Sequence, residues 1–311
     1  MNYICVRLLK KVLHIFIICI FSFVSTAQVD SVPAKKYKRI SLITGSSVLT
    51  TGSLFYLNKA WYSEYNTGKF HMFNDNADWL QMDKAGHVWT TYNLGRLMMD
   101  VFDWAGFSKK QKLIYGGTIG FAYMTGVELM DGYSDGWGFS SGDMLANAAG
   151  TGLSISQEAL WNEQRVFIKY SYQESELAIY NPSLLGKNLQ EKILKDYNAQ
   201  TYWISFSPFT FIKGDHKLPK WLALSFGYGA NGMLRAREDF VTYRSPTSPF
   251  VESTYNSQRI RNYYVSLDID FTKIKTKSKT LKTIFTCLNM VKVPAPALGF
   301  NCKGSSFNWL R

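Results

Sequence analysis

The chain is poor in cysteine, histidine and acid. Of its four cysteines, Cys5 and Cys19 fall in the N-terminal stretch. That leaves Cys287 and Cys302, fifteen residues apart. Two cysteines exclude a disulfide-dense scaffold and do not make a zinc site. They can close one short C-terminal loop or remain thiols. The four histidines include His71 and His216, which sit in polar loop contexts and read as solvated. Acids number 23 against 35 basic residues, and Phe271 to Arg311 contains eight Lys/Arg and no Asp or Glu. A basic excess placed so unevenly suits anionic lipid headgroups or lipopolysaccharide phosphates, or is simply a solvated tail. No internal repeat or low-complexity tract stands out.

The aromatic fraction, by contrast, is high at 16%. Trp61, Trp79, Trp89, Trp104, Trp137 and Trp161 fall mostly at segment ends, which suits interface anchoring as well as core packing. At the N-terminus, Arg7, Lys10 and Lys11 precede an apolar run from Val12 to Val24, followed by Ser25-Thr26-Ala27. A basic region, an apolar core and small residues at the exit predict a signal peptide over 1–27, cleaved after Ala27. Cys19 lacks the context that lipid attachment needs, so a lipoprotein is not expected. Export makes nucleic acid an unsuitable partner.

Four segments of about 14–18 residues follow: Ile40–Leu57, Ala85–Val101, Leu113–Val127 and Met144–Gln157. They are shorter than the roughly 20 residues a bilayer core requires. Yet Gly, Ala, Ser and Thr recur in them at three- and four-residue spacings, which is how membrane helices approach closely. Two readings stay open, a membrane-embedded bundle and a buried soluble one.

Beyond Gln164 the period changes. Ser183–Tyr197 reads as a polar helix. Tyr202–Phe211, Trp221–Gly229 and Tyr263–Phe271 read as strands. In the last, Tyr263, Val265, Leu267, Ile269 and Phe271 share one face, and Ser266, Asp268 and Asp270 the other. The fold class expected is α+β: an N-terminal bundle of about four short glycine-rich helices, then a small antiparallel sheet. The organisation is a signal peptide (1–27), a helical domain (39–161), a connecting segment with a helix (162–200), a β-rich region (201–275) and a basic amphipathic C-terminal segment (276–311).

Ionisable residues interrupt the apolar helices at Asp83-Lys84-Ala85-Gly86-His87, at Glu128 and Asp131, and at Asp143. Asp83 and His87, and likewise Asp143 and Asn147, are four apart, so each pair shares a helix face. Ser140 or Ser141 can cap the fourth helix, with Asp143 in its first turn. Three chemistries fit. His87, Asp83, Glu128 and Asp131 or Asp143 could ligate zinc or manganese. His87 could be the general base of a hydrolase, oriented by Asp83 or Asp143, with Ser140 or Ser141 as nucleophile. Or Asp83, Lys84, His87, Glu128, Asp131, Asp143 and Asn147, with Arg96, could form a satisfied polar network that holds helices in register.

Asp83-Lys-Ala-Gly-His87, the glycine-rich third helix ending in Glu128, Asp131, Gly136-Trp-Gly-Phe-Ser140, and Asp143 with Ala146-Asn-Ala-Ala-Gly150 together resemble the YfiM-like family over about residues 80–155. That resemblance implies a predicted periplasmic lipoprotein of unsettled function. The chain departs from it in lacking the lipid-attachment cysteine and in carrying a β-rich extension, which looks like the Bacteroidota version. A weaker resemblance is to VanZ-like membrane proteins, which share the Asp-Lys-x-x-His start. The function expected is therefore an exported, membrane-associated envelope component at the outer membrane or periplasmic face. It would be non-enzymatic and bind membrane lipid, lipopolysaccharide or an envelope protein. The alternative is an envelope hydrolase working through His87. No cofactor is expected other than a divalent metal at the polar cluster.

Overall fold

The computed structural model describes residues 33–62, 68–212, 218–238, 240–245 and 248–311. The signal peptide expected over 1–27 lies outside the described residues. The fold is α+β, with long helices followed by an antiparallel sheet. It divides into two compact units, one built from residues up to Asp75 with Thr90–Ala159, the other from Asn76–Trp89 with Leu160–Arg311.

The helices of the first unit are α1 (Pro33–Leu57), the part of α2 (Met82–Trp104) beyond Trp89, α3 (Gly117–Gly132) and most of α4 (Ser141–Trp161). All four are longer than the apolar runs suggested, most clearly α1, α2 and α4 at 25, 23 and 21 residues. An apolar run marks only the stretch that must be buried. Straight-chain Lys and Glu extend a helix at little cost. Lys36–Leu57 thereby reaches the length a bilayer requires, and among the described residues it is the one helix long and apolar enough to cross a membrane.

Glycine sets the distance between α2, α3 and α4. A Cβ on Gly95 would lie 2.7 Å from the Gly117 carbonyl and 2.8 Å from Ser154 Oγ, and one on Gly120 would lie 2.5 Å from the Thr91 carbonyl. These contacts are the small-residue packing that the spacing predicted. The end of α1 packs differently: Leu54 and Tyr62 meet Met130 beside Tyr123 and Trp137.

The second unit carries a six-stranded antiparallel sheet. Its strands are β1 (Val166–Tyr172), β2 (Gln200–Phe206), β3 (Leu222–Asn231), β6 (Ile260–Ile269), β7 (Ala297–Asn301) and β8 (Gly304–Asn308), neighbours in that order. A separate hairpin, β4 (Phe240–Ser245) with β5 (Ser248–Asn256), is inserted between β3 and β6. The polar helix read over 183–197 is two short pieces, Pro182–Leu185 and α5 (Leu189–Lys195). Gly186, at φ 103°, breaks it. The basic C-terminal stretch forms α6 (Lys279–Leu288) and then returns as β7 and β8.

The sheet is inverted relative to an ordinary soluble one. Ile168, Ile204, Phe226, Val265, Leu298 and Phe307 are successive cross-strand partners in one row over all six strands. Of these Ile204, Phe226, Leu298 and Phe307 are exposed, as are Tyr263 and Leu267 in adjacent rows. The opposite face buries the polar Lys169, Ser205, Ser225, Ser266 and Asp268 among Phe167, Trp203, Ala223, Tyr264 and Ala297. The alternation in β6 was legible, but period two says which residues share a face, not which face is inside. Here the segment after α6 crosses the polar side. Lys292 N donates to Tyr170 O and Ser266 Oγ to Pro296 O. Lys292 Nζ sits 5.0 Å from the Trp203 ring centroid.

Candidate functional site

Of the polar residues singled out from the sequence, Asp83, Lys84 and His87 belong to the second unit and Arg96, Glu128, Asp131, Asp143 and Asn147 to the first. In the second unit the chain enters α2 through three successive residues in the left-handed region, Trp79 (φ 47°), Leu80 (φ 50°) and Gln81 (φ 63°). None is glycine, and each costs on the order of 1–2 kcal/mol. The turn is held from several sides. Trp79 N donates to Ala236 O at 2.8 Å. Tyr228 OH donates to Leu80 O, and Asp78 pairs with Arg237. Trp79 lies against Tyr197 with ring centroids 5.4 Å apart, inside a core of Met82, Leu185 and Met233.

That turn aims Asp83. Its Oδ1 accepts from Tyr197 OH at 2.9 Å and lies 3.7 Å from His87 Nε2, and its Oδ2 is 3.4 Å from Lys84 Nζ. His87 is buried. Gly86 lets the helix pass over the sheet: its missing Cβ would be 3.0 Å from Tyr202 OH. Tyr202 is half-buried, its OH donating to Gln200 Oε1 at 2.8 Å. Burial pushes its ionisation well above the ordinary tyrosine range, with Tyr170 and Asp83 adding to the push.

In the first unit Glu128, buried near the end of α3, accepts the Ser140 backbone N–H at 2.9 Å through Oε2. Ser140 Oγ accepts from Asp143 N at 3.1 Å and donates to Asp75 Oδ1 at 2.5 Å. Ser140 is thus the residue capping α4, with Asp143 in the first turn. Asp131 accepts from Tyr62 OH at 2.6 Å. Asn147, one turn beyond Asp143, is fully buried.

Gly138-Phe139-Ser140-Ser141-Gly142 spells Gly-x-Ser-x-Gly, a motif that sequence reasoning missed. A hydrolase elbow needs its serine on a strained turn with an exposed hydroxyl. Ser140 is 1% exposed, is not among the positive-φ residues, and has its hydroxyl engaged on both sides. Sequence reasoning also missed Asp75, Tyr62 and Tyr197, which lie far from the motif in the chain. A further set of ionisable residues, Asp100 at the surface with the buried Arg96 and Glu158, lies on the helices of the first unit. Partial desolvation holds the Asp100 carboxyl above its usual range, partly offset by the Arg96 charge. Lys112 meets Glu158 there at 2.8 Å.

Residues 71–159 match a family described as predicted periplasmic lipoproteins (DUF2279). The match spans less than a third of the chain but includes every residue of the polar constellation, from Asp83 to Asn147. No curated protein and no solved structure matches. A family of unknown function with a periplasmic description fits an exported envelope protein.

Proposed function

We propose that the protein is a non-enzymatic, membrane-associated component of the cell envelope, held to lipid by α1, with its polar clusters serving to fix helices. One observation carries this reading. Lys36–Leu57 has the length and apolarity of a span, and only 11% of its most apolar stretch is buried. Val48, Leu49 and Phe55 stand exposed along it. A soluble helix this apolar would be buried in a core; lipid accounts for one that is not.

The arrangement around Ser140 supports a fixing role for the acids, since Glu128 and Asp75 both hold the Ser140 residue that precedes α4. A YfiM-like assignment of the matched region, the VanZ-like resemblance and a place at the outer membrane or its periplasmic face belong to the same proposal.

The test is fractionation of native envelopes followed by an alkaline carbonate wash. The protein should stay with the membrane pellet, and Val48→Asp/Leu49→Asp should release it. Recovery of the unaltered protein in the soluble periplasm, with no binding to anionic liposomes, overturns the proposal. For the cluster, His87→Ala should lower protein abundance and any phenotype together. Loss of phenotype at full abundance would favour the hydrolase instead.

A further inference from the structure

We infer that the outward face of the six-stranded sheet is a second lipid-contacting surface, one that docks on an anionic leaflet and takes a headgroup phosphate at a basic cavity at one end of the strands. This rests on the membrane reading above but uses a different part of the chain.

The inversion of the sheet is the first ground. Lys169 and Asp268, 2.9 Å apart with no exposed side-chain surface, are enclosed, while Ile204, Phe226, Leu267, Leu298 and Phe307 face out. A sheet in water with a polar interior and an apolar exterior is the wrong way round; in contact with lipid it is the right way round. Tyr263 and Ile269 are six residues apart on β6, so the apolar band is roughly 20 Å tall at about 3.3 Å per residue. Tyr228, Tyr263 and Phe300 form one border of it as cross-strand partners.

Charge complementarity is the second ground. At the opposite border the band runs through Phe226 and Phe206 (ring centroids 6.2 Å apart) to Phe211 (6.4 Å) and Trp161 (5.8 Å). There a cavity of about 490 Å³ is lined by Trp161, Glu163, Arg165, Phe211, Lys220 and Lys273. It holds three cations against one carboxylate. Glu163 meets Arg165 at 2.7 Å and Lys273 at 2.6 Å, and the Arg165 guanidinium lies 4.9 Å from the Trp161 ring centroid. A phosphate could take the cationic excess that Glu163 leaves. Lys275 and Lys277 follow, and then α6, whose exposed Leu281, Ile284 and Leu288 recur at helical spacing beside Lys279 and Lys282.

The contact is with the surface of one leaflet. The open edge of β8 would leave backbone groups unsatisfied inside hydrocarbon, whereas a sheet lying face-on keeps its edges in hydrated headgroups.

The experiment reconstitutes the full chain with vesicles of phosphatidylcholine and phosphatidylglycerol carrying a diazirine on one acyl chain. After photolysis the cross-linked peptides are mapped. Labels on β2, β3, β6 and β7 at Ile204, Phe226, Leu267 and Leu298 are expected, together with labels on α1. Labels on α1 alone overturn this inference and leave the proposed function standing. Labels on neither overturn both. Cross-links to a second copy or another protein at the sheet, without lipid, assign the face to that partner and overturn the inference. In a second arm Lys220→Glu should weaken flotation with phosphatidylglycerol vesicles several-fold and leave phosphatidylcholine binding and thermal midpoint unchanged. Inorganic phosphate should compete weakly. Unchanged flotation of this variant overturns the headgroup cavity, and full competition by phosphate reassigns the cavity to the free ion.

Discussion

Lys169 Nζ lies 2.9 Å from Asp268 Oδ2 on the inward face of the sheet, with neither side chain exposed. The same Asp268 oxygen accepts from Ser205 Oγ at 2.7 Å and Ser225 Oγ at 3.1 Å, so three strands converge on one carboxylate. Removing one partner of a buried pair strands the other charge, at a cost of about 3–5 kcal/mol. Lys169→Met and Asp268→Leu should each destabilise the sheet by that much, and the double variant by clearly less than the sum. Hydrogen exchange of β3 and β6 amides under urea measures all three, and strict additivity would refute the pairing.

Lys292 gives a pH signature. Burial is the main reason its ammonium is pulled down to about 8, with the nearby Lys169 charge acting the same way and Asp268 opposing. The folded state therefore binds fewer protons than the unfolded one between about pH 8 and the ordinary lysine value of 10.5. Stability contributed by this group rises with pH across that window. Partly buried tyrosines such as Tyr170, whose ionisation desolvation pushes upward, act in the opposite sense towards the top of it. The informative comparison is thus between the unaltered protein and Lys292→Met from pH 8 to 9.5: the variant should lose the upward slope. An identical slope in both would exclude Lys292 as its source.

Two glycine substitutions should differ in sign. A Cβ at Gly120 meets the Thr91 carbonyl at 2.5 Å, whereas at Gly152 nothing lies within 4 Å. Gly152→Ala should stabilise α4 by about 0.5–1 kcal/mol. Gly120→Ala should destabilise by about 1–3 kcal/mol, because α2 and α3 must separate. Thermal unfolding by circular dichroism reads both shifts.

Glu128 is expected to matter as an acceptor for the Ser140 N–H. Glu128→Gln keeps an oxygen for that donor and should cost less than Glu128→Ala, which leaves it unmet at about 1–3 kcal/mol. Thermal midpoints of the two variants measure the difference; equal losses would point to the charge.

The helices and three central strands were legible because their periods are long and regular, as in β6 or the glycine spacings of α3. Helix ends were not, since polar residues such as Asp83 and Glu158 extend a helix without marking it. β7 and β8 were hidden in Ala297-Leu-Gly-Phe-Asn301 and Gly304-Ser-Ser-Phe-Asn308, which are short and weakly alternating. The turn at Trp79–Gln81 had no signal, because left-handed backbone is read from glycine and none is there. At the polar sites, spacing identified Asp83 with His87 and a serine cap before Asp143. It could not supply Tyr197, Tyr62 or Asp75, which only tertiary folding brings in. The two remaining cysteines, Cys287 and Cys302, are free and exposed.

The inverted sheet also has a calorimetric consequence. Heat capacity on unfolding rises with newly hydrated apolar surface and falls with newly hydrated polar surface. Ile204, Phe226, Leu267, Leu298 and Phe307 are exposed in the folded chain already, while Lys169, Ser205, Ser225 and Asp268 become hydrated only on unfolding. The sheet should therefore unfold with a heat-capacity increment below the roughly 12–15 cal/mol/K per residue of ordinary domains. Its stability curve would be correspondingly flat, with melting and cold unfolding unusually far apart.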